Sequence, residues 1–225
     1  MTPEELDELL SDCPTLYHMA ERGSWASIEK NGLLSTSALL DLYHVNGDNR
    51  EKIEGQRRPE SVPINRTGMP TAVIRDQIPM DDSGLLRCLP SHITPTDWYR
   101  LLNKKVFFWL TRDRLHRILN AGAYRHKEHD VLELDARALV EKYSERIWLC
   151  PMNSGCTKPI PHPRDETIFS RIPEYPYSDW KRKRKKGERV VELCVDHSVP
   201  DISDFVTRVV SMRGREEIGN IFCSE

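Results

Sequence analysis

A chain of 225 residues with 38% apolar and 30% charged side chains has material for one substantial core or at most two small ones, and a polar, soluble protein is expected. The formal charge of −2 excludes a strongly basic or acidic protein as a whole, yet it hides two opposed segments. The first dozen residues carry Glu4, Glu5, Asp7, Glu8 and Asp12 without a cation, whereas Lys181-Arg182-Lys183-Arg184-Lys185-Lys186 is an unbroken basic run.

The six cysteines, Cys13, Cys88, Cys150, Cys156, Cys194 and Cys223, form no C-x-x-C pair, and the Cys150/Cys156 spacing fits no zinc pattern. Neither disulfide staples nor a metal is expected. The acidic N-terminus lacks the apolar core of a signal peptide, and the longest strongly apolar run, 106–110, is too short to cross a bilayer. A cytoplasmic protein without membrane contact is expected.

In chain order, Thr2-Pro3-Glu4-Glu5 predicts a capped helix that Pro14 ends, and 16–20 reads as a strand. Ser24 caps a helix through Trp25 and Ile28, which Asn31-Gly32 closes; Ser35-Thr36-Ser37 caps another carrying Leu39, Leu40 and Leu42. From 46 to 82 glycines and prolines break the pattern and only 71–74 resembles a strand, so an irregular binding segment is expected. Thr96 begins a helix through Leu102, 106–110 is the clearest buried strand, and Thr111 caps a helix over 112–120. Strands at 131–134 and 146–149 flank a helix over 136–143, and 151–177 is a proline-rich loop. The basic run is expected as a loop before strands at 190–195 and 206–211. Short helices interrupt short strands without βαβ alternation, so the class is α+β and residues 1–225 are read as one domain.

Walker, dinucleotide-glycine, H-E-x-x-H and nucleophile-elbow signatures are missing. Glu192 lies inside the apolar run 190–195. It is a surface carboxylate on a half-exposed strand, or the floor of a cleft where a fixed negative charge meets a developing positive one. His18, within an apolar strand, is a satisfied core residue or a ligand contact. Phe108 and Trp109 read as core, and the basic run as a solvated segment or a phosphate-binding one.

Leu16-Tyr17-His18-Met19, followed by a helix ending in Gly32-Leu33-Leu34-Ser35, resembles the opening of the DarT-type DNA ADP-ribosyltransferase toxins. Residues 106–111 resemble that family's aromatic strand, and Glu192 followed by Ser198-Val199-Pro200 resembles its final motif. Residues 71–100 follow the pattern poorly, and Asn153-Ser154-Gly155-Cys156-Thr157 has no assigned counterpart in it. The resemblance implies an ADP-ribosyltransferase-like split β-core of two small sheets with NAD in the cleft between them. It makes Glu192 the catalytic carboxylate and His18 a ribose ligand, with Tyr17, Phe108 and Trp109 around the nicotinamide.

For the pyrophosphate Arg75 is the first choice, with Arg57 and Arg58 next. Lys181, Arg182, Lys183 and Arg184, together with the aromatics Tyr175, Tyr177 and Trp180 just before them, suggest single-stranded RNA or DNA as acceptor. A bacterial toxin or anti-phage effector, restrained by a cognate antitoxin, is the biological setting implied. The alternatives are a protein-directed transferase, a NAD glycohydrolase, an RNA 2′-phosphotransferase (against which Glu192 argues) and a non-enzymatic nucleic-acid-binding module.

Overall fold

Capping chemistry sets most of the helix starts. The Thr2 hydroxyl accepts from the Glu5 amide at 3.3 Å while the Glu5 carboxylate accepts from the Thr2 amide at 3.0 Å, a reciprocal cap that opens α1 (Pro3–Asp12). In the computed structural model, which describes residues 1–224, there follow β1 (Thr15–Glu21), α2 (Trp25–Asn31), β2 (Leu33–Leu34) and α3 (Thr36–Leu42), the last capped by Ser35. Next come α4 (Gly47–Glu54), β3 (Val62–Ile64), β4 (Ala72–Ile74), α5 (Asp82–Cys88), capped by Asp81, and α6 (Pro95–Asn103), opened by a Thr94–Asp97 capping box. Then β5 (Lys105–Trp109), α7 (Arg112–Leu119), β6 (Glu128–Asp135), α8 (Ala136–Tyr143) and β7 (Ile147–Cys150) succeed one another. The chain ends with β8 (Ser170–Arg171), α9 (Tyr177–Lys183), β9 (Glu192–Asp196), β10 (Ser198–Val199), β11 (Val206–Arg213) and β12 (Glu216–Cys223).

The fold is α+β. Eight strands form one antiparallel sheet in the order β12-β11-β6-β1-β5-β9-β7-β8, and two small ribbons, β10-β2 and β3-β4, stand beside it. Where two separate small sheets were expected, one sheet runs through, but it is nearly divided. β1 pairs with β6 along its whole length and β5 with β9 along its whole length, yet β1 and β5 meet only at Tyr17 opposite Trp109. One pair is a weak lateral bond for an eight-stranded sheet, and the two halves diverge on either side of it.

Period-two alternation decides what each face buries. Leu16, Ala20, Phe108, Leu132, Leu193 and Val195 join α1, α2 and α8 in one continuous core. The opposite face carries two clusters. Met19, Val131, Val210 and Met212 pack under α7, and Cys150 and Cys194 pack under α5 and α6. Helices α3 and α4 with the β3-β4 ribbon close a fourth cluster around Leu40, Ile53 and Ile74. Among the described residues no helix is long and apolar enough to cross a membrane.

The segment 46–82 is more ordered than its composition implies. α4 carries a single buried apolar residue, Ile53, so it has no readable periodicity; the pairs Arg50–Glu54 and Arg100–Glu51 tie it instead to its own turn and to α6. α5 also arises where no element was expected. The basic run enters a helix, α9, rather than a loop, and Glu192 opens its strand instead of sitting inside it. β12, exposed along almost its whole length, had no burial pattern to reveal it.

Gly32 ends α2 at φ 81° and ψ 169°, a region open essentially to glycine alone. A Cβ there would lie 2.5 Å from the Pro200 Cα. Gly32→Ala is therefore expected to cost at least about 2 kcal/mol through strain and the forced opening of the β10-β2 ribbon. Urea unfolding measures this, and a midpoint equal to that of the unaltered chain contradicts it.

Candidate active site

Divergence of β1 from β5 leaves space that side chains do not fill. A cavity of about 290 Å³ occupies it, near the lower end of the ~300–1,000 Å³ range common for small-molecule sites. Its walls come from both halves of the sheet (His18 from β1; Phe107, Trp109 and Glu192 from β5 and β9) and from the segments 32–36, 72–77 and 153–155.

Glu192 is 4% exposed and stands in register between Trp109 and Cys150. Its Oε2 accepts two hydrogen bonds from one residue, the Ser154 amide at 3.1 Å and the Ser154 hydroxyl at 2.7 Å. Oε1 has no protein partner among the described residues. Burial pushes the carboxyl up to about 7, against the pull of the two Ser154 donors and of the Arg164 and Arg114 charges. A carboxylate with one oxygen held and the other free, inside a cavity, is built for a contact that the chain itself does not make.

His18 lies across the seam. Its Nδ1 is 2.9 Å from the Phe107 carbonyl, which can only accept, so Nδ1 carries the proton. Burial drives the ring pKa down to about 4, which keeps it neutral near pH 7. Nε2 is thus an acceptor with no protein partner. Phe108, 1% exposed, meets the His18 ring edge-on at 5.9 Å from the core side. It steadies the histidine and does not line the cavity; Phe107, which sequence reasoning passed over, does. Tyr17 packs with Met19 under α7, away from the cavity lining, while Trp109 lines it.

Of the candidate arginines, Arg75 and Arg58 line the cavity and Arg57 does not. Arg75 donates to the Met19 carbonyl at 3.3 Å and lies 5.1 Å over the Tyr124 ring; its buried Nε makes no hydrogen bond but pairs with Glu21 at 3.8 Å. Arg58, 6% exposed, donates to the carbonyls of Ile53 and Arg75 and to Asn103 Oδ1, and burial lowers it to about 10. Arg57 is spent on the Met80 and Ile78 carbonyls.

The basic run is arranged differently from expectation. Lys181 pairs with Glu8 and Lys186 with Asp12, both at 2.7 Å, Arg189 bonds Glu8, and Ser178 donates to Glu5. The acidic start of the chain neutralises much of the run. Arg182 pairs with Asp179, and Arg184 donates to the Pro151 carbonyl and covers Trp180 at 4.1 Å. Tyr175 and Tyr177 are each 1% exposed, buried in the main core, so neither is a stacking platform. Lys183 and Lys185 remain exposed and form no ion pair among the described residues.

Residues 14–206 match a family described as being of unknown function, DUF7002. The chain belongs to the DUF7002 family. The matched part contains His18, Arg75, Ser154 and Glu192, while α1 and β12 lie outside it. No curated protein matches the chain.

Besides Phe107, two residues of this DUF7002 site escaped sequence reasoning. Ser154 sits in an irregular stretch 38 residues before Glu192, and only the cost of burying Glu192 could have signalled that a donor must come from elsewhere. Arg164, 4% exposed, holds the Ser154 carbonyl and left no local signal.

A carboxyl raised from 4.5 to about 7 binds its proton more tightly in the folded chain than in the unfolded one. Its contribution to stability is present below pH 4.5 and is lost as pH rises through about 7. Glu192→Gln, which removes the charge and keeps the shape, should therefore exceed the parent in stability above pH 8 by up to about 3 kcal/mol and match it near pH 4. Thermal unfolding across that range measures the gap. A gap that does not change with pH refutes the buried-carboxylate assignment.

Proposed function

We propose that this DUF7002 chain is a NAD-dependent mono-ADP-ribosyltransferase with an ADP-ribosyltransferase-like fold. The observation that carries the reading is Glu192: a buried carboxylate with one oxygen fixed by Ser154 and the other unpartnered, lining the same cavity as His18 from the other half of a nearly divided sheet. The lining fits the co-substrate in kind. Arg75, whose ion pair with Glu21 is long at 3.8 Å, offers a guanidinium for phosphate, Phe107 and Trp109 offer flat apolar faces, and His18 Nε2 offers a lone pair.

When bound, NAD supplies the ADP-ribosyl group and nicotinamide as the leaving group. His18 Nε2 accepts from a ribose hydroxyl and orients the sugar. Glu192 Oε1 accepts from another hydroxyl and, once ionised, offsets the positive charge that grows on the ribose as its bond to nicotinamide breaks. Ser154 keeps the carboxylate from rotating away. The wall from Phe107 to Trp109 excludes water.

The acceptor proposed is a base of single-stranded RNA or DNA, approached past the exposed Lys183 and Lys185. A second reading, NAD hydrolysis or transfer to protein, is favoured by one observation: the acidic helix α1 takes up much of the basic run.

Glu192→Gln should lower NAD turnover by at least about 10²–10³-fold with little change in NAD affinity. His18→Ala should weaken NAD binding about tenfold, one hydrogen bond's worth, with a smaller effect on turnover. Single-turnover kinetics separate the two, and parent-like turnover in Glu192→Gln would sink the reading. In the parent, kcat/KM should climb with pH through about 7 as Glu192 ionises.

Exchanging Lys183 and Lys185 for serine should raise KM for nucleic acid and flatten its salt dependence by roughly 0.7 in log–log slope per lost phosphate contact. Mass spectrometry of RNA, DNA and protein incubated with NAD identifies the acceptor. Free ADP-ribose alone, with superimposable salt curves, would favour the hydrolase.

A further inference from the structure

Arg164 lies outside the cavity lining, yet its contacts converge on the residue that holds Glu192. Its Nη1 donates to the Ser154 carbonyl at 2.9 Å and to the Asn153 carbonyl at 3.3 Å, its Nε donates to the His162 carbonyl at 3.0 Å, and its own amide donates to the Cys88 carbonyl at 2.9 Å. The Trp98 indole also donates to the Ser154 carbonyl, at 3.3 Å. Arg164 is 4% exposed, forms no ion pair among the described residues, and has an Nη2 without an acceptor. Burying a guanidinium without a carboxylate is costly, and buried cations are otherwise nearly always paired.

We propose that Arg164 is a positioning residue for Glu192. By gripping two successive carbonyls it fixes the 153–154 peptide so that the Ser154 N–H and O–H aim at the same carboxylate oxygen, leaving Oε1 for the substrate. It also faces Glu192 with an uncompensated positive charge that favours the ionised form. The other titratable groups around Glu192 do not replace it. Arg114 of α7 is already paired with Glu188, which also binds Arg117, and Cys150 of β7 and Cys194 of β9 are thiols that burial keeps protonated. The role in catalysis rests on the transferase reading above; the geometry and the charge effect do not.

The test has two arms. In the first, the Glu192 midpoint is read without activity, from the pH dependence of the stability difference between chains with and without the Glu192→Gln substitution. In an Arg164→Gln background the midpoint should rise from about 7 by about one pH unit or more, since a favouring cation has gone. In Arg164→Lys, which keeps the charge and loses the fork, it should stay near that of the parent.

In the second arm, NAD turnover at pH 7 is measured. Both variants should lose kcat, about fivefold for Arg164→Gln by a one-unit shift of the midpoint alone, with KM for NAD unchanged. Raising the pH should restore part of the loss in Arg164→Gln and little in Arg164→Lys. An unmoved midpoint in Arg164→Gln, or a raised KM with parent-like kcat, overturns the proposal. If Arg164→Gln does not fold, the kcat against KM split in Arg164→Lys decides. If the parent itself consumes no NAD, the transferase reading falls, and the stability arm still decides whether Arg164 sets the ionisation of Glu192.

Discussion

Burying the Glu192 carboxylate is the constraint around which this fold is arranged. An ionised carboxylate moved from water into an apolar interior without partners costs several kcal/mol, and the usual relief is protonation. Here the relief is partial. Two donors from Ser154 reach one oxygen, and burial still outweighs them enough to push the carboxyl to about 7. For those donors to be worth anything the 153–165 loop must be rigid, and it is fastened at both ends. Thr157, 1% exposed, donates from its amide to the Pro79 carbonyl and accepts from the Asp81 amide, and a Cβ on Gly84 would come within 2.5 Å of its hydroxyl. Arg164 fastens the other end to the last residue of α5. So α5, which touches no part of the cavity, is the anchor of the site.

The same accounting explains the seam. A fully paired β1–β5 ladder would bring the flanking side chains into contact and leave no cavity. Pairing at Tyr17–Trp109 alone keeps the two halves of the sheet joined, and His18, next to Tyr17, and Glu192, opposite Trp109, border the cavity beside that join. The chain recovers stability elsewhere, through the full-length β1-β6 and β6-β11 ladders and through the continuous core on the opposite face. The imidazole of His18 then crosses the gap to the Phe107 carbonyl, supplying one of the lateral hydrogen bonds that the divergent backbones cannot make.

What could be read from the sequence followed from local rules. Caps at Thr2, Ser35 and Thr111, the stop at Gly32 and the apolar runs at 106–110 and 131–134 all mark real elements, because each depends on neighbours a few residues away. α4 was invisible because its hold on the fold is ionic and reaches across to α6. The sequence of α9 argues for a loop because six consecutive cations repel one another in any short helix, and the compensating acids sit more than 170 residues earlier in α1. Phe107 and Phe108 were both visible as aromatic, but which one faces the cavity depends on the phase of the pleat, and a shift of one residue exchanges them. Ser154 and Arg164 could not be found locally at all.

At neutral pH one physical cause, burial, drives the two central groups of the cavity in opposite directions, Glu192 up to about 7 and His18 down to about 4. Both shifts favour the neutral form, so near pH 7 His18 is uncharged and Glu192 only about half ionised, and the free chain is spared part of the cost of an unpaired anion. A ligand that brings positive charge next to Oε1 reverses the balance for Glu192, since an adjacent cation favours the carboxylate. His18 feels no such reversal; its Nδ1 proton is committed to Phe107 and its Nε2 remains a neutral acceptor. The pair therefore separates two tasks by chemistry. The imidazole supplies orientation that is insensitive to charge, and the carboxylate supplies charge that becomes fully available only when something positive calls for it.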